Sequence, residues 1–333
     1  MKKILCVLMS CLLFVMAGCS GHSKNLKFGA ADIGGVYYSF ASTFTQLADK
    51  EIDGYTFETK TTAGSVANLR LISDGYIDLA IVQADLLSDA YNATGTFADK
   101  KYQKGYKAVT SLYTECCQIV VRKDSGITGI DDLINKTVSV GASESGSEKN
   151  AEQILKMSGI TDELINKVNM DYTEAAEKLK AGEIDAFFCT AGTRTEVIGQ
   201  LSKECDICLI SLDDKCIDKM LSAYSLCEKY TIPAGTYNGQ DSDVTTIGVK
   251  AVLIAKQSLS DDVIKNVTKT IYEHADDFKY ATSLDISFDI NTAADGVDIP
   301  FHSGAAAYFS WIIRSEPLIR PTNTSILKTV SAR

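Results

Sequence analysis

Apolar positions along the chain follow two periods in turn. Residues 26–30 read as a short strand. From Val36 onward Val36, Tyr37, Phe40, Ala41, Phe44, Leu47 and Ala48 recur at helical spacing and make one apolar stripe. Tyr55 and Phe57 alternate with polar residues in a second strand. Gly64-Ser65 opens a helix that runs through Val66, Leu69 and Ile72 and stops at Asp74-Gly75, and residues 77–83 form an apolar run with the length of a buried strand. The order β-α-β-α-β predicts a mainly parallel sheet covered by helices.

The second half repeats the pattern. Residues 137–142 read as a strand, followed by a Ser/Gly turn and a helix whose face is Ala151, Ile154, Leu155 and Ser158, with Gly159 at its C-terminal end. A strand at 168–172, a helix at 174–181 and a buried strand at 185–189 follow. Both halves share one order: helix, Gly, any residue, Ile, Asp, buried strand. It runs from Ser73 through Gly75, Ile77 and Asp78 in one half and from Ala181 through Gly182, Ile184 and Asp185 in the other. Strands at 117–122 and 245–255 read as crossovers, and helices are expected at 263–272 and 305–313. The expected architecture is α/β, with two Rossmann-like lobes joined by crossover strands and a ligand cleft between them. Residues 26–115 and 245–333 form one lobe, and 116–244 the other.

The N-terminus stands apart from this pattern. Lys2 and Lys3 precede an apolar segment at residues 4–15, and Met16-Ala17-Gly18-Cys19 closes it with small residues. This is an export signal, too short for an ordinary transmembrane helix. Its ending resembles a lipobox, which makes residues 1–18 a lipoprotein signal peptide, Cys19 the lipidation site and 19–25 a linker. The alternative is a plain secretory signal. The lipid-anchored reading places the protein outside the cytoplasmic membrane of a bacterium, periplasmic or at the cell surface.

Composition narrows the function classes. The chain has 333 residues, 45% hydrophobic and 23% charged, which excludes intrinsic disorder. A net charge of −10 argues against nucleic acid as a partner. Three histidines, His22, His274 and His302, leave little for metal sites or triads, and no P-loop, GxGxxG, HExxH or GxSxG motif occurs. No cofactor, no metal and no enzymatic activity are expected. Past the leader and Cys19 seven cysteines remain, among them a CxxC at Cys205 and Cys208. They read as buried thiols, because a strand would turn that pair to opposite faces.

Three strand-to-helix turns carry candidate chemistry: Asp32-Ile33-Gly34-Gly35-Val36-Tyr37-Tyr38, Thr61-Thr62-Ala63-Gly64-Ser65 and Ser143-Glu144-Ser145-Gly146-Ser147. Each precedes a helix whose first N–H groups lack intrahelical partners and favour an anion. Glycine lets a ligand approach the backbone. Ser145 and Glu148 also fit a capping box, so ordinary helix caps are the other reading of such turns.

Gly34-Gly35-Val36-Tyr37-Tyr38, Gly64-Ser65-Val66-Ala67-Asn68-Leu69, Leu79-Ala80-Ile81-Val82-Gln83-Ala84-Asp85 and Ser111-Leu112-Tyr113-Thr114-Glu115 are followed in order by four further motifs. These are Val140-Gly141-Ala142-Ser143-Glu144-Ser145-Gly146-Ser147, Ile184-Asp185-Ala186-Phe187-Phe188, Ile232-Pro233-Ala234-Gly235-Thr236-Tyr237-Asn238-Gly239-Gln240-Asp241 and Pro300-Phe301-His302-Ser303-Gly304-Ala305. With these motifs the chain resembles the TAXI family of TRAP-transporter solute receptors. The resemblance implies a type II periplasmic-binding-protein fold. It also implies capture of a small organic anion of the glutamate, glutamine or 2-oxoglutarate type, and delivery to a TRAP membrane permease driven by an ion gradient. Thr114 stands where Pro is common, and Ser147-Glu148 where Thr and a basic residue are frequent. The turns and matched motifs together give the expected ligand-binding residues: Gly35, Val36, Tyr37, Ser65, Gln83, Tyr113, Ser143, Ser145, Gly146 and Ser147. The receptor is expected to be a monomer. Two rival functions share the pattern, a binding lipoprotein of an ABC importer and a surface lipoprotein for adhesion or sensing.

Overall fold

The structure is a computed structural model that describes residues 23–99, 104–284, 286 and 288–315. The signal peptide and Cys19 expected above lie outside the described residues. Ten strands form one continuous sheet in the order β2-β1-β3-β10-β4-β7-β5-β6, with β8 added beside β4 and β9 beside β10.

The first lobe is built on β1 (Lys24–Gly29), β2 (Tyr55–Lys60) and β3 (Leu79–Gln83). β1 pairs with both neighbours in parallel, from Lys24↔Tyr55 to Gly29↔Lys60 on one side and at Phe28↔Leu79 on the other. The crossovers are α1 (Val36–Glu51) and α2 (Ser65–Ser73), and α3 (Ala84–Asn92) leaves directly from the end of β3. One face of this sheet buries Phe28, Phe40, Phe44 and Phe278 in a single apolar cluster, with Phe40 stacked on Phe278 at 4.3 Å between ring centroids. The other face packs Leu69, Ile72, Leu86 and Phe97.

The second lobe repeats this with β5 (Thr137–Ser139), β6 (Asn166–Val168) and β7 (Ala186–Ala191), parallel to one another, and with α4 (Gly146–Met157) and α5 (Tyr172–Ala181). α6 (Glu196–Glu204), β8 (Ile207–Leu209), α7 (Asp214–Ala223) and β9 (Cys227–Ile232) complete it. Helices again cover both faces: α4 and α7 contribute Ile154 and Met220 to one cluster, and α5 and α6 contribute Leu179 and Leu201 to the other.

Two long strands join the halves. β4 (Tyr106–Arg122) and β10 (Val244–Lys256) are antiparallel to each other, with register shifts between Ala251 and Val252 and between Leu253 and Ile254. Toward its C-terminus β4 pairs with β7 and β8, and the opposite end of β10 pairs with β3. The sequence pattern shows only the part of β4 after Cys117, because Thr110, Ser111, Thr114 and Glu115 interrupt its apolar run. α8 (Asp261–Glu273), α9 (Ala275–Thr282) and α10 (Ser303–Ser315) return to the first lobe. The expected strand at 168–172 ends at Val168, because Asp171 caps α5 by accepting from Glu174 N–H at 2.8 Å. Among the described residues seven cysteines are free, five of them buried.

Candidate functional site

The ends of β1, β3, β5 and β7 and the N-termini of α1, α2, α4 and α5 meet where the two lobes face each other. In open α/β sheets ligands bind outside the carboxyl ends of the strands, and this geometry follows that rule. A side chain that lines nothing holds the first lobe's turns in place. Fully buried Asn68 donates to the carbonyls of Ala30 (2.7 Å) and Ile81 (2.9 Å) and accepts from Thr62 Oγ1 (2.7 Å). It thereby ties the ends of β1 and β3 to the start of α2. Gly64 just before α2 has φ 120° and ψ −150°, a conformation essentially restricted to glycine.

α1, α2 and α3 begin without a side-chain cap, as do α6 and α9, whereas α4, α5, α7 and α8 are capped by Ser145, Asp171, Asp213 and Ser260. The uncapped N–H groups of the first lobe therefore look for partners across the cleft. One finds its partner there: Ala67 N–H donates to the Glu144 carbonyl at 3.1 Å. Glu144 adopts a left-handed φ of 66°, and its carboxylate receives Arg70 through two bonds, 3.2 Å from Nε and 2.6 Å from Nη2.

Three glycines let the lobes touch. A methyl on Gly34 would lie 3.3 Å from Thr173 Oγ1, and one on Gly64 would lie 3.4 Å from Ser145 Cα. A methyl on Gly146 would overlap the Gln83 side chain at 2.4 Å. Each pair has one member from each lobe, so the structure is closed. Val36 of α1 packs with Ala175, Ile198 and Leu201 of the second lobe, which extends closure with an apolar contact.

Closure leaves a cavity of about 40 Å³ lined by Asp32, Tyr37, Ser65, Gln83, Glu115, Ser147, Asp171, Tyr172 and Thr190, among others. That is room for about three waters. A larger solute enters only when the lobes part. Glu115 accepts from Tyr37 Oη at 2.8 Å and from Gln83, and burial pushes its carboxyl up to about 8. Burial, and then the neighbouring Asp171 charge, also raise Asp32, whose carboxylate accepts from the backbone of Tyr172 in the other lobe. The hydroxyl of Ser65 accepts from Gln83 N–H at 3.1 Å and lies 3.5 Å from Tyr37 Oη. Ser147 Oγ accepts from Thr190 N–H at 2.8 Å and pairs with Tyr172 Oη at 2.6 Å.

Of the residues expected from the sequence, Gly35, Val36, Tyr37, Ser65, Gln83, Ser145, Gly146 and Ser147 all line this cavity. Two do not. Ser143 is not among its lining residues. Tyr113 lines a separate open groove of about 980 Å³ with Arg194, Tyr230 and Lys250. Of the second-lobe residues expected to bind ligand, Ser143, Ser145, Gly146 and Ser147, two already use their hydroxyls inside that lobe, because Ser145 Oγ accepts from Glu148 N–H at 2.9 Å and Ser147 bonds Thr190 and Tyr172. Sequence reasoning missed Asp32, Glu115, Asp171, Tyr172 and Thr190. Asp32 and Glu115 sit inside quoted motifs, but no pattern marks them. Tyr237 is structural: its hydroxyl donates to Gln118 Oε1 at 2.6 Å and accepts from Thr195 N–H at 3.0 Å.

Two α/β lobes joined by long antiparallel strands, with helix N-termini lining the cleft, define the type II periplasmic-binding-protein class. PhnD1 from Prochlorococcus marinus, solved in complex with methylphosphonate, is similar at a TM-score of 0.57 and 11% identity over 89% of this chain and 100% of that one. A Xanthomonas citri protein bound to ATP gives 0.51 and 11% over 86% and 98%. A putative L-cystine ABC transporter from Listeria monocytogenes gives 0.50 and 12% over 84% and 99%. At these identities the likeness establishes the fold. The chain belongs to the NMT1-like family, whose model matches residues 28–310.

Proposed function

We propose that this protein is the extracytoplasmic solute receptor of a membrane importer. It takes a small organic solute into the interlobe cavity and presents the closed form to a permease. One observation supports this above the others: the uncapped N-termini of α1, α2 and α3 and the glycine contacts at Gly64 and Gly146 converge on one cavity between two lobes. The export signal expected at residues 1–18 and lipidation at Cys19 fit a receptor tethered outside the cytoplasmic membrane, and no helix among the described residues is long and apolar enough to cross one. In this reading residues 26–115 and 245–333 move as one lobe against 116–244, and β4 and β10 flex between them.

The permease class follows from two unequal indications. Among the structural relatives, the putative L-cystine transporter is of the ABC type, which favours an ABC importer. The motifs kept in order between residues 26 and 310 favour a TRAP permease, with a ligand of the glutamate, glutamine or 2-oxoglutarate type. Uptake by membrane vesicles carrying receptor and permease separates the two: dependence on ATP hydrolysis selects the first, and collapse with the sodium gradient selects the second.

The receptor reading itself is tested by thermal unfolding of the full chain against a metabolite panel. A true ligand at 100 times its dissociation constant stabilises the native state by about 2.7 kcal/mol. A panel in which nothing shifts the transition, with native mass spectrometry showing no molecule carried through purification, refutes it and leaves the adhesion or sensing role.

A further inference from the structure

The proposed solute cavity has an unexpected charge. Among the described residues it is lined by three acidic side chains, Asp32, Glu115 and Asp171, and by no Lys, Arg or His. Two acceptor atoms among its lining residues are left without a partner, Gln83 Oε1 and Asp32 Oδ2. Gln83 is 2% exposed and does not reach bulk water. Gln83 lines the cavity and donates to Glu115, which leaves its Oε1 as a buried acceptor without a partner. A buried acceptor with no donor is costly and is normally satisfied by something that donates. No group of three metal-ligating side chains occurs among the described residues. A bare metal ion is therefore a poor match for the acceptors, and an organic N–H donor a good one.

We propose that the solute presents a cationic nitrogen, an ammonium or amidinium, to Asp32 and Asp171, with the Gln83 carbonyl as a third acceptor. The inference rests on the receptor reading and names the solute class within it. Asp32 belongs to the turn before α1, and Asp171 is the cap of α5. The nitrogen therefore bridges one carboxylate from each lobe and closes the molecule around itself. In the ligand-free protein these two carboxylates repel each other across the cleft, and burial already disfavours the charge on Asp32. A bound cation removes both penalties in the closed form only, the differential affinity that closure requires. Glu115 has a different role: held protonated by burial and bonded to Tyr37 and Gln83, it fixes the Gln83 carbonyl and does not supply the counter-charge. A carboxylate on the same solute has the N-terminal N–H groups of α1 available, so a zwitterion fits both ends. Within the glutamate, glutamine and 2-oxoglutarate set expected from the sequence, the amino acids are accepted and the keto acid is refused.

The experiment uses the full chain and matched pairs: glutamate against 2-oxoglutarate, alanine against pyruvate, and putrescine against 1,4-butanediol. Binding is read by calorimetry, and native mass spectrometry identifies whatever the protein retains from a small-molecule extract. A site built to receive an N–H donor rejects the analogue lacking it by orders of magnitude, so at least about 100-fold discrimination within a pair is expected. Asp32→Asn should then lose most of that affinity. Asp171→Asn keeps a helix cap and serves as the second variant should Asp32→Asn fail to fold. Equal or tighter binding of an amine-free member, or an extracted ligand without a basic nitrogen, overturns the inference and leaves the receptor reading standing. If no pair member binds and nothing is retained from the extract, the receptor reading falls, and the inference with it.

Discussion

At the scale of single residues the cavity is governed by what burial does to acids. Glu115 ionises near 4.5 when solvated and is pushed up to about 8 in the folded protein. Between those values the native state holds a proton that the unfolded chain has released, so the stability this group contributes falls as pH rises from about 5 to 8. Glu115→Gln removes the titration and keeps an acceptor for Tyr37. Denaturant unfolding of the variant should show a flatter dependence on pH across that window than the wild type, and parallel curves would show that Glu115 is already ionised in the folded state. The glycine turns were legible in the sequence because a backbone that must admit a neighbouring lobe leaves few alternatives to Gly34, Gly64 or Gly146. Glu115 was not. It is a lone acid in the middle of β4, two residues beyond Tyr113 on the same face of an unbroken register, and nothing in its spacing marks it; the Tyr113 side chain reaches the open groove, while Glu115 lines the cavity.

At the scale of elements, legibility tracks punctuation. α1, α2 and α4 follow glycine or serine turns and read cleanly, whereas α3 starts at Ala84 directly from β3 with no breaker between them. The polar middle of β4 hides the strand because Glu115 faces the cleft, Ser111 and Thr114 line the open groove, and Thr110 is buried against Tyr272 in a side-chain hydrogen bond. What holds the elements in register at the site is Asn68. Asn68→Ala takes its donor from the Ile81 carbonyl and one of two donors from the Ala30 carbonyl, while Thr62 Oγ1, 3.0 Å from Ala30 O, turns to that carbonyl. At about 1–3 kcal/mol for a buried group left unsatisfied, the loss should be about 2 kcal/mol in chemical denaturation. A loss below about 1 kcal/mol would mean that water replaces the side chain and that the turn before α2 is held by other contacts.

At the scale of the molecule, the question is what sets the balance between open and closed lobes. Gly146→Ala separates folding from closure. Its methyl meets Gln83 of the opposite lobe at 2.4 Å, a clash present only when the lobes are together. The variant should keep its melting transition in the absence of ligand, bind solute at least about tenfold more weakly, and scatter X-rays as a more extended particle. A closed particle with unchanged affinity would place the hinge elsewhere. The Arg70–Glu144 pair acts on the same balance by a different force. Its side chains are 34% and 40% exposed, so its charge contribution is about 1 kcal/mol or less, or up to about fivefold in apparent affinity. Salt screens such a pair, while the backbone bond from Ala67 to Glu144 is indifferent to salt. Arg70→Gln should therefore weaken binding of any solute by a few-fold at low ionic strength and by little near 1 M salt. An effect that persists at high salt would show that Arg70 acts through packing on the second lobe and not through its charge.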